Sequence, residues 1–121
     1  MKARSLQAIL LIGALALGGL QGCARFEMGS PPRVDRLAQL KPHVSTKQDV
    51  LLTLGEPRGY GAARLDPGFQ RQQVWSYEYM VSEGQAIRFT MLLVFFSQDT
   101  YDGHMWFADA VNLKEYREKG P

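Results

Sequence analysis

The sequence predicts an α+β domain: two short helices packed on a three-stranded antiparallel sheet, an ααβββ order in two layers, with a short C-terminal helical stretch after it. Three observations lead there. Apolar residues recur at helical spacing over Val34–Leu40 and again over Val50–Leu54, and Pro or Gly stops both runs. Three later runs, Gln73–Val81, Ala86–Phe96 and His104–Ala108, alternate or are apolar throughout in the manner of strands. A chain of 121 residues with 45% hydrophobic content has room for one core and not for two.

Residues 1–22 stand apart from that domain. Lys2 and Arg4 precede Ala8–Leu20, a run built only from Ala, Ile, Leu and Gly. As a helix it would rise about 20 Å, short of a hydrocarbon core near 30 Å, so it reads as a secretory signal and not as a membrane span. Removing Lys2 and Arg4 from the 14 basic residues leaves 12 against 12 acidic ones, so the formal charge of +2 belongs to the leader. A chain without excess cations is not built for nucleic acid, whose binding draws on clustered Lys and Arg.

The leader closes on Leu20-Gln21-Gly22-Cys23, and Cys23 is the only cysteine. This resembles a bacterial lipobox. The resemblance implies cleavage between Gly22 and Cys23, a diacylglycerol on the thiol and an N-acyl chain on the new amine, with no other cofactor. Two or three acyl chains anchor a protein in effect permanently, where one holds it only reversibly. Ala24, where a protein kept at the inner membrane would often carry Asp, implies the periplasmic face of the outer membrane, whose bilayer is then a partner through the anchor. A capped Cys23 leaves no thiol for a disulfide, so the fold rests on its core. Residues 23–33 read as the lipidated cysteine and a flexible tether. Gly29 and Pro31-Pro32 resist helix there, and ten extended residues reach about 33 Å. The domain proper is assigned to residues 34–121.

Within it, Val34, Leu37, Ala38 and Leu40 predict a first helix that Pro42 stops. Ser45-Thr46-Lys47-Gln48 predicts a capping box with Ser45 as N-cap and Gln48 at N3, opening a helix whose stripe is Val50, Leu51 and Leu54 and whose stop is Gly55 before Pro57. Residues 56–72 hold five Gly or Pro and no periodicity, so they predict a long loop. In the first strand Trp75, Tyr77, Tyr79 and Val81 share a face, which is expected to meet the helices. Ser82–Gln85 turns the chain into a central strand, apolar on both faces toward its end. Ser97–Gly103 is read as a second turn and His104–Ala108 as a short third strand. Asp109 can then cap a helical stretch through Val111, Leu113 and Tyr116.

Two helices cover one sheet face and leave the other bare. Leu92, Val94 and Phe96 are expected there, beside Met80 or Trp106, as an exposed apolar patch of the kind that marks a protein partner. Arg58, Arg64 and Arg71 in the long loop are further candidates, since a guanidinium fork suits an acidic partner or lipid phosphate. Catalysis finds no support. His43 with Ser45, or His104 with Asp102, lies in no nucleophile elbow and follows no triad logic. Two histidines and a lipidated cysteine do not make a metal site, and Gly59-x-Gly61 has no strand before it to make a phosphate loop.

Val44-Ser45-Thr46-Lys47-Gln48-Asp49-Val50, Leu54-Gly55-Glu56-Pro57, Asp66-Pro67, Trp75-Ser76-Tyr77 and Leu92-Leu93-Val94-Phe95-Phe96 together resemble the SmpA/OmlA lipoproteins, whose domain is called BamE-like. The likeness covers about residues 34–108. It implies an ααβββ fold and a non-enzymatic accessory or scaffold role in outer-membrane β-barrel assembly and envelope integrity, with the barrel-assembly complex as partner. A stress-related envelope lipoprotein, or an inhibitor-like protein-binding module, is the alternative it also implies.

Overall fold

The computed structural model describes residues 24–110. They form a five-stranded antiparallel sheet with two small helices, so the predicted arrangement of two helices on three strands is wrong. The strands are β1 (Arg25–Gly29), β2 (Gly59–Ala63), β3 (Gln72–Glu83), β4 (Ala86–Ser97) and β5 (Thr100–Ala108). The first helix is a six-residue 3₁₀ turn, Val34–Gln39, and the second, α1, is Lys47–Leu54. The predicted C-terminal helix through Val111, Leu113 and Tyr116 lies outside the described residues, as do the leader, Gly22 and Cys23. Among the described residues no helix is long and apolar enough to cross a membrane.

Two strands were hidden, and β3 is the reason both exist. It is 12 residues long, so its free edge accommodates two five-residue strands end to end. β1 pairs with the segment from Tyr79 to Glu83, and β2 with the segment from Gln72 to Ser76. The expected flexible tether is therefore ordered sheet over Arg25–Gly29. Tyr79 Oη adds a tie by donating to Glu27 Oε1 at 2.9 Å. The expected long loop likewise contains β2, whose Gly-Tyr-Gly-Ala-Ala carries no period of its own and becomes a strand only because β3 offers hydrogen bonds.

The order across the sheet is β1 or β2, then β3, β4 and β5. Gly84-Gln85 is a two-residue turn, with Gly84 at φ 60°, and it closes the pair Glu83↔Ala86. That closure sets every later pair, including Tyr77↔Leu92 and Trp75↔Val94. Directly opposed residues share a face, so Leu92, Val94 and Phe96 lie on the same side as Trp75 and Tyr77. The helices cover that side. Val34 and Leu37 from the 3₁₀ turn, Leu40 just after it, and Val50 and Leu54 from α1 pack on Trp75, Tyr77, Leu92, Val94, Phe96 and Tyr101 to make the core.

Local punctuation differs from expectation in two further places. Thr46, not Ser45, is the N-cap of α1. Its Oγ1 accepts from the Asp49 amide at 3.3 Å, and its own amide donates to Asp49 Oδ2 at 2.8 Å. Ser45 instead closes the preceding turn, its Oγ accepting from the Lys41 amide at 2.9 Å. The turn read over Ser97–Gly103 is only Gln98-Asp99, after which β5 begins at Thr100. A bulge follows, because Phe96 pairs with Tyr101 and Phe95 with Gly103, leaving Asp102 as the extra residue.

Candidate docking surface

The face of the sheet away from the helices carries the surplus apolar surface. Its rows follow from the register. Met28, Met80 and Phe89 share one row, Met91 and Phe107 the next, then Leu93 and Met105, then Val74 and Phe95. All are half-buried or exposed, with Met105 at 46% and Phe107 at 49%. At the β2 end this face dips into an apolar depression of about 440 Å³, lined by Gly61, Leu65, Val74, Leu93, Phe95 and Met105 among others. Small residues of β2 make the dip: Gly59 and Gly61 stand opposite Ser76 and Val74 and raise no wall there. Leu65, 80% exposed, stands at its border.

The expected patch of Leu92, Val94 and Phe96 is not this surface. All three are 0% exposed and form the centre of the core. The error is one of parity. A turn over Ser82–Gln85 would pair Val81 with Ala86, a shift of two residues that keeps Leu92, Val94 and Phe96 on the face of Trp75 and Tyr77. The expected patch rests on the hydrophobicity of β4 alone and does not carry the alternation of β3 through the turn. The residues that do face outward are Phe89, Met91, Leu93 and Phe95. The signal that could have found them was already in the alternation of β3: a two-residue or a four-residue loop gives the same parity and turns Phe89, Met91, Leu93 and Phe95 away from the Trp75 face.

The three candidate arginines are exposed but divided. Arg58 enters β2, its amide bonded to Ser76 O at 2.8 Å, and lines a cleft of about 270 Å³ with Arg33, Glu56, Tyr77 and Glu78. Two acids and two bases there leave no net charge. Arg64 leaves β2 at the opposite end, where Arg71 leads into β3 beside Ala62 and Gln72. Tyr77 donates its hydroxyl to Gly55 O at 2.9 Å, and burial, then the neighbouring Glu56 and Tyr60, raise its pKa well above the usual phenol value. It is thus a fixed donor that holds the end of α1 on the sheet.

Among the described residues, one cluster of polar side chains gathers on Asp102. Asp102, thrown out by the bulge, accepts from Gln72 Nε2 at 2.7 Å and from Ser97 Oγ, and lies 3.4 Å from His43 Nδ1. Ser97 and His43 meet the carboxylate and not each other, so the three do not line up in the hydroxyl–imidazole–carboxylate order of a triad. His104 pairs with Tyr101 instead of Asp102, Nδ1 to Oη at 2.6 Å, and desolvation lowers its pKa. Among the described residues no three His, Cys, Asp or Glu groups converge as metal ligands. No family model, curated protein or solved structure matches the chain.

Proposed function

We propose that the protein is a non-enzymatic lipoprotein, anchored in the outer membrane through acylated Cys23, whose domain docks another envelope protein on the open face of its sheet. The partner in this reading is the outer-membrane β-barrel assembly machinery, to which the domain is an accessory. The observation that carries docking is the run of apolar side chains from Met28 to Phe95 on a face that no described element covers. Apolar area of this extent is rare on a protein that works alone. The anchor is supported by the Leu20-Gln21-Gly22-Cys23 motif, and the identity of the partner by the likeness of the Thr46–Pro57 and Trp75–Tyr77 segments to BamE-like domains. Arg64 stands in the chain between Ala63 and Leu65, which line the depression, and Arg71 shares a neighbouring hollow with Gly61 and Ala62, so both would supply charge at its border for an acidic partner segment.

The test is detergent extraction of a tagged full-length protein. The assembly machinery should be recovered with it. Met105→Glu combined with Leu65→Glu should reduce that recovery while leaving the thermal transition unchanged, since both side chains already face water. Undiminished recovery would remove the open face from the reading. Clean recovery of unrelated partners would end the claim on barrel assembly.

A further inference from the structure

The strand status of β1 moves the domain much closer to the bilayer than a tether would. Cys23 precedes Phe26 by three residues, which span at most about 11 Å. Phe26 is locked into the sheet opposite Ser82, and Ser82 stands opposite Ile87, so the three form one row across β1, β3 and β4. Phe26 is 57% exposed and Ile87 65%. They flank the Gly84-Gln85 turn at one end of the sheet, and the apolar open face continues from them into Met28, Met80 and Phe89. The charges at this end cancel: Arg25 meets Glu83 at 2.8 Å and Glu27 at 3.4 Å, and Arg88 is the fourth charge.

We propose that this rim is a second membrane contact, with Phe26 and Ile87 buried in the interfacial layer of the bilayer that holds the acyl chains. The domain then stands on the membrane, its strands rising from it, and does not swing on a free linker. The inference rests on acylation of Cys23, which fixes the rim within reach of lipid. The chemistry fits an acyl-chain boundary and not a charged headgroup, because two bare apolar side chains face outward while the four neighbouring charges sum to zero. With the strands upright, the depression near Val74 and Leu93 would stand about 23 Å above the rim, at about 3.3 Å per residue. Rim and depression thus divide one face between two kinds of partner.

The experiment places a nitroxide at Ile87→Cys, and separately at Phe26→Cys and Leu65→Cys, in the mature protein reconstituted into phosphatidylethanolamine vesicles with and without phosphatidylglycerol. Intact-mass measurement of each preparation verifies acylation, which also leaves the introduced thiol as the one that labels. Labels at positions 87 and 26 should be several-fold less accessible to an aqueous nickel relaxant than the label at 65, and more accessible to oxygen, in both lipid mixtures. Adding Phe26→Ser should return the label at 87 toward water. Equal aqueous access at 87, 26 and 65 in acylated protein would overturn the rim contact and leave the anchor standing. Protection only with phosphatidylglycerol would overturn the apolar mode. A bare thiol at residue 23, with the leader still attached, would overturn both the anchor and the rim.

Discussion

Two residues one position apart in the alternation of β4 have opposite fates, and this sets the first prediction. Val94 is 0% exposed between Trp75 on one side and the helices on the other, whereas Leu93 looks outward beside Met105. A carboxylate at Val94 would be buried among apolar groups without a partner, at a cost of several kcal/mol against a total of about 5–15 for a small domain. Val94→Glu should therefore unfold the protein or lower its denaturation midpoint steeply, while Met105→Glu leaves the midpoint nearly unmoved. A second prediction concerns His104. Its pKa is lowered by desolvation, and its Nδ1 can accept from the Tyr101 hydroxyl only when that nitrogen is unprotonated. Burial in turn raises the Tyr101 pKa, which keeps that hydroxyl a donor. The unfolded chain binds a proton at this imidazole near the ordinary value of 6.5 and the folded chain does so only at lower pH. Stability is thus fully present above 6.5 and declines as pH falls through the interval below it. Denaturant titrations over that interval should show the decline, and His104→Gln should flatten it.

At the scale of elements, α1 has eight residues and depends on its ends and its packing, being too short to persist alone. The reciprocal Thr46 and Asp49 bonds satisfy two amides at its start. Thr46→Ala should destabilise the fold by about 1 kcal/mol in equilibrium unfolding. Ser45→Ala should act instead on the turn from Lys41, visible as faster amide exchange at Lys41 while α1 keeps its protection. The same elements show what can be read from sequence. The apolar stripe of α1, the Gly55 stop and the alternation of β3 were legible because each is a local pattern longer than one turn or four strand residues. β1 does alternate, as Arg25-Phe26-Glu27-Met28, but so briefly beside Gly29 and Pro31-Pro32 that the punctuation outweighed it. β2 has no local signal at all, and only the length of β3 calls it into the sheet. The open face was legible as a surplus of apolar residues, but its membership depended on carrying the alternation of β3 across the turn into the twelve residues of β4.

For the whole molecule, the proposed anchor and rim together would make a small neutral domain present one face at a defined height. Cys23, the proposed anchor, lies three residues before Phe26, the sheet runs without a hinge from that row to the depression, and β3 and β4 are each 12 residues long. A stiff sheet held at one end by lipid would keep the depression at a set distance from the bilayer, and a partner embedded in the same membrane would meet it at high effective concentration. Ten Gly and Ser residues inserted after Ala24 would add a coil of roughly 17–19 Å r.m.s. length, comparable to the height of the depression itself. On the proposed arrangement, the spacer should weaken co-recovery of the partner after cross-linking in intact membranes, because the rim is no longer held at the lipid and the depression samples many heights. It should leave binding in detergent unchanged, since no residue of the docking face is altered. Equal loss in both settings would point to a damaged β1 and could be recognised by a lowered thermal midpoint. Equal retention in both, with a normal midpoint, would show that a flexible leash serves as well as a standing sheet, and that orientation on the membrane plays no part in docking.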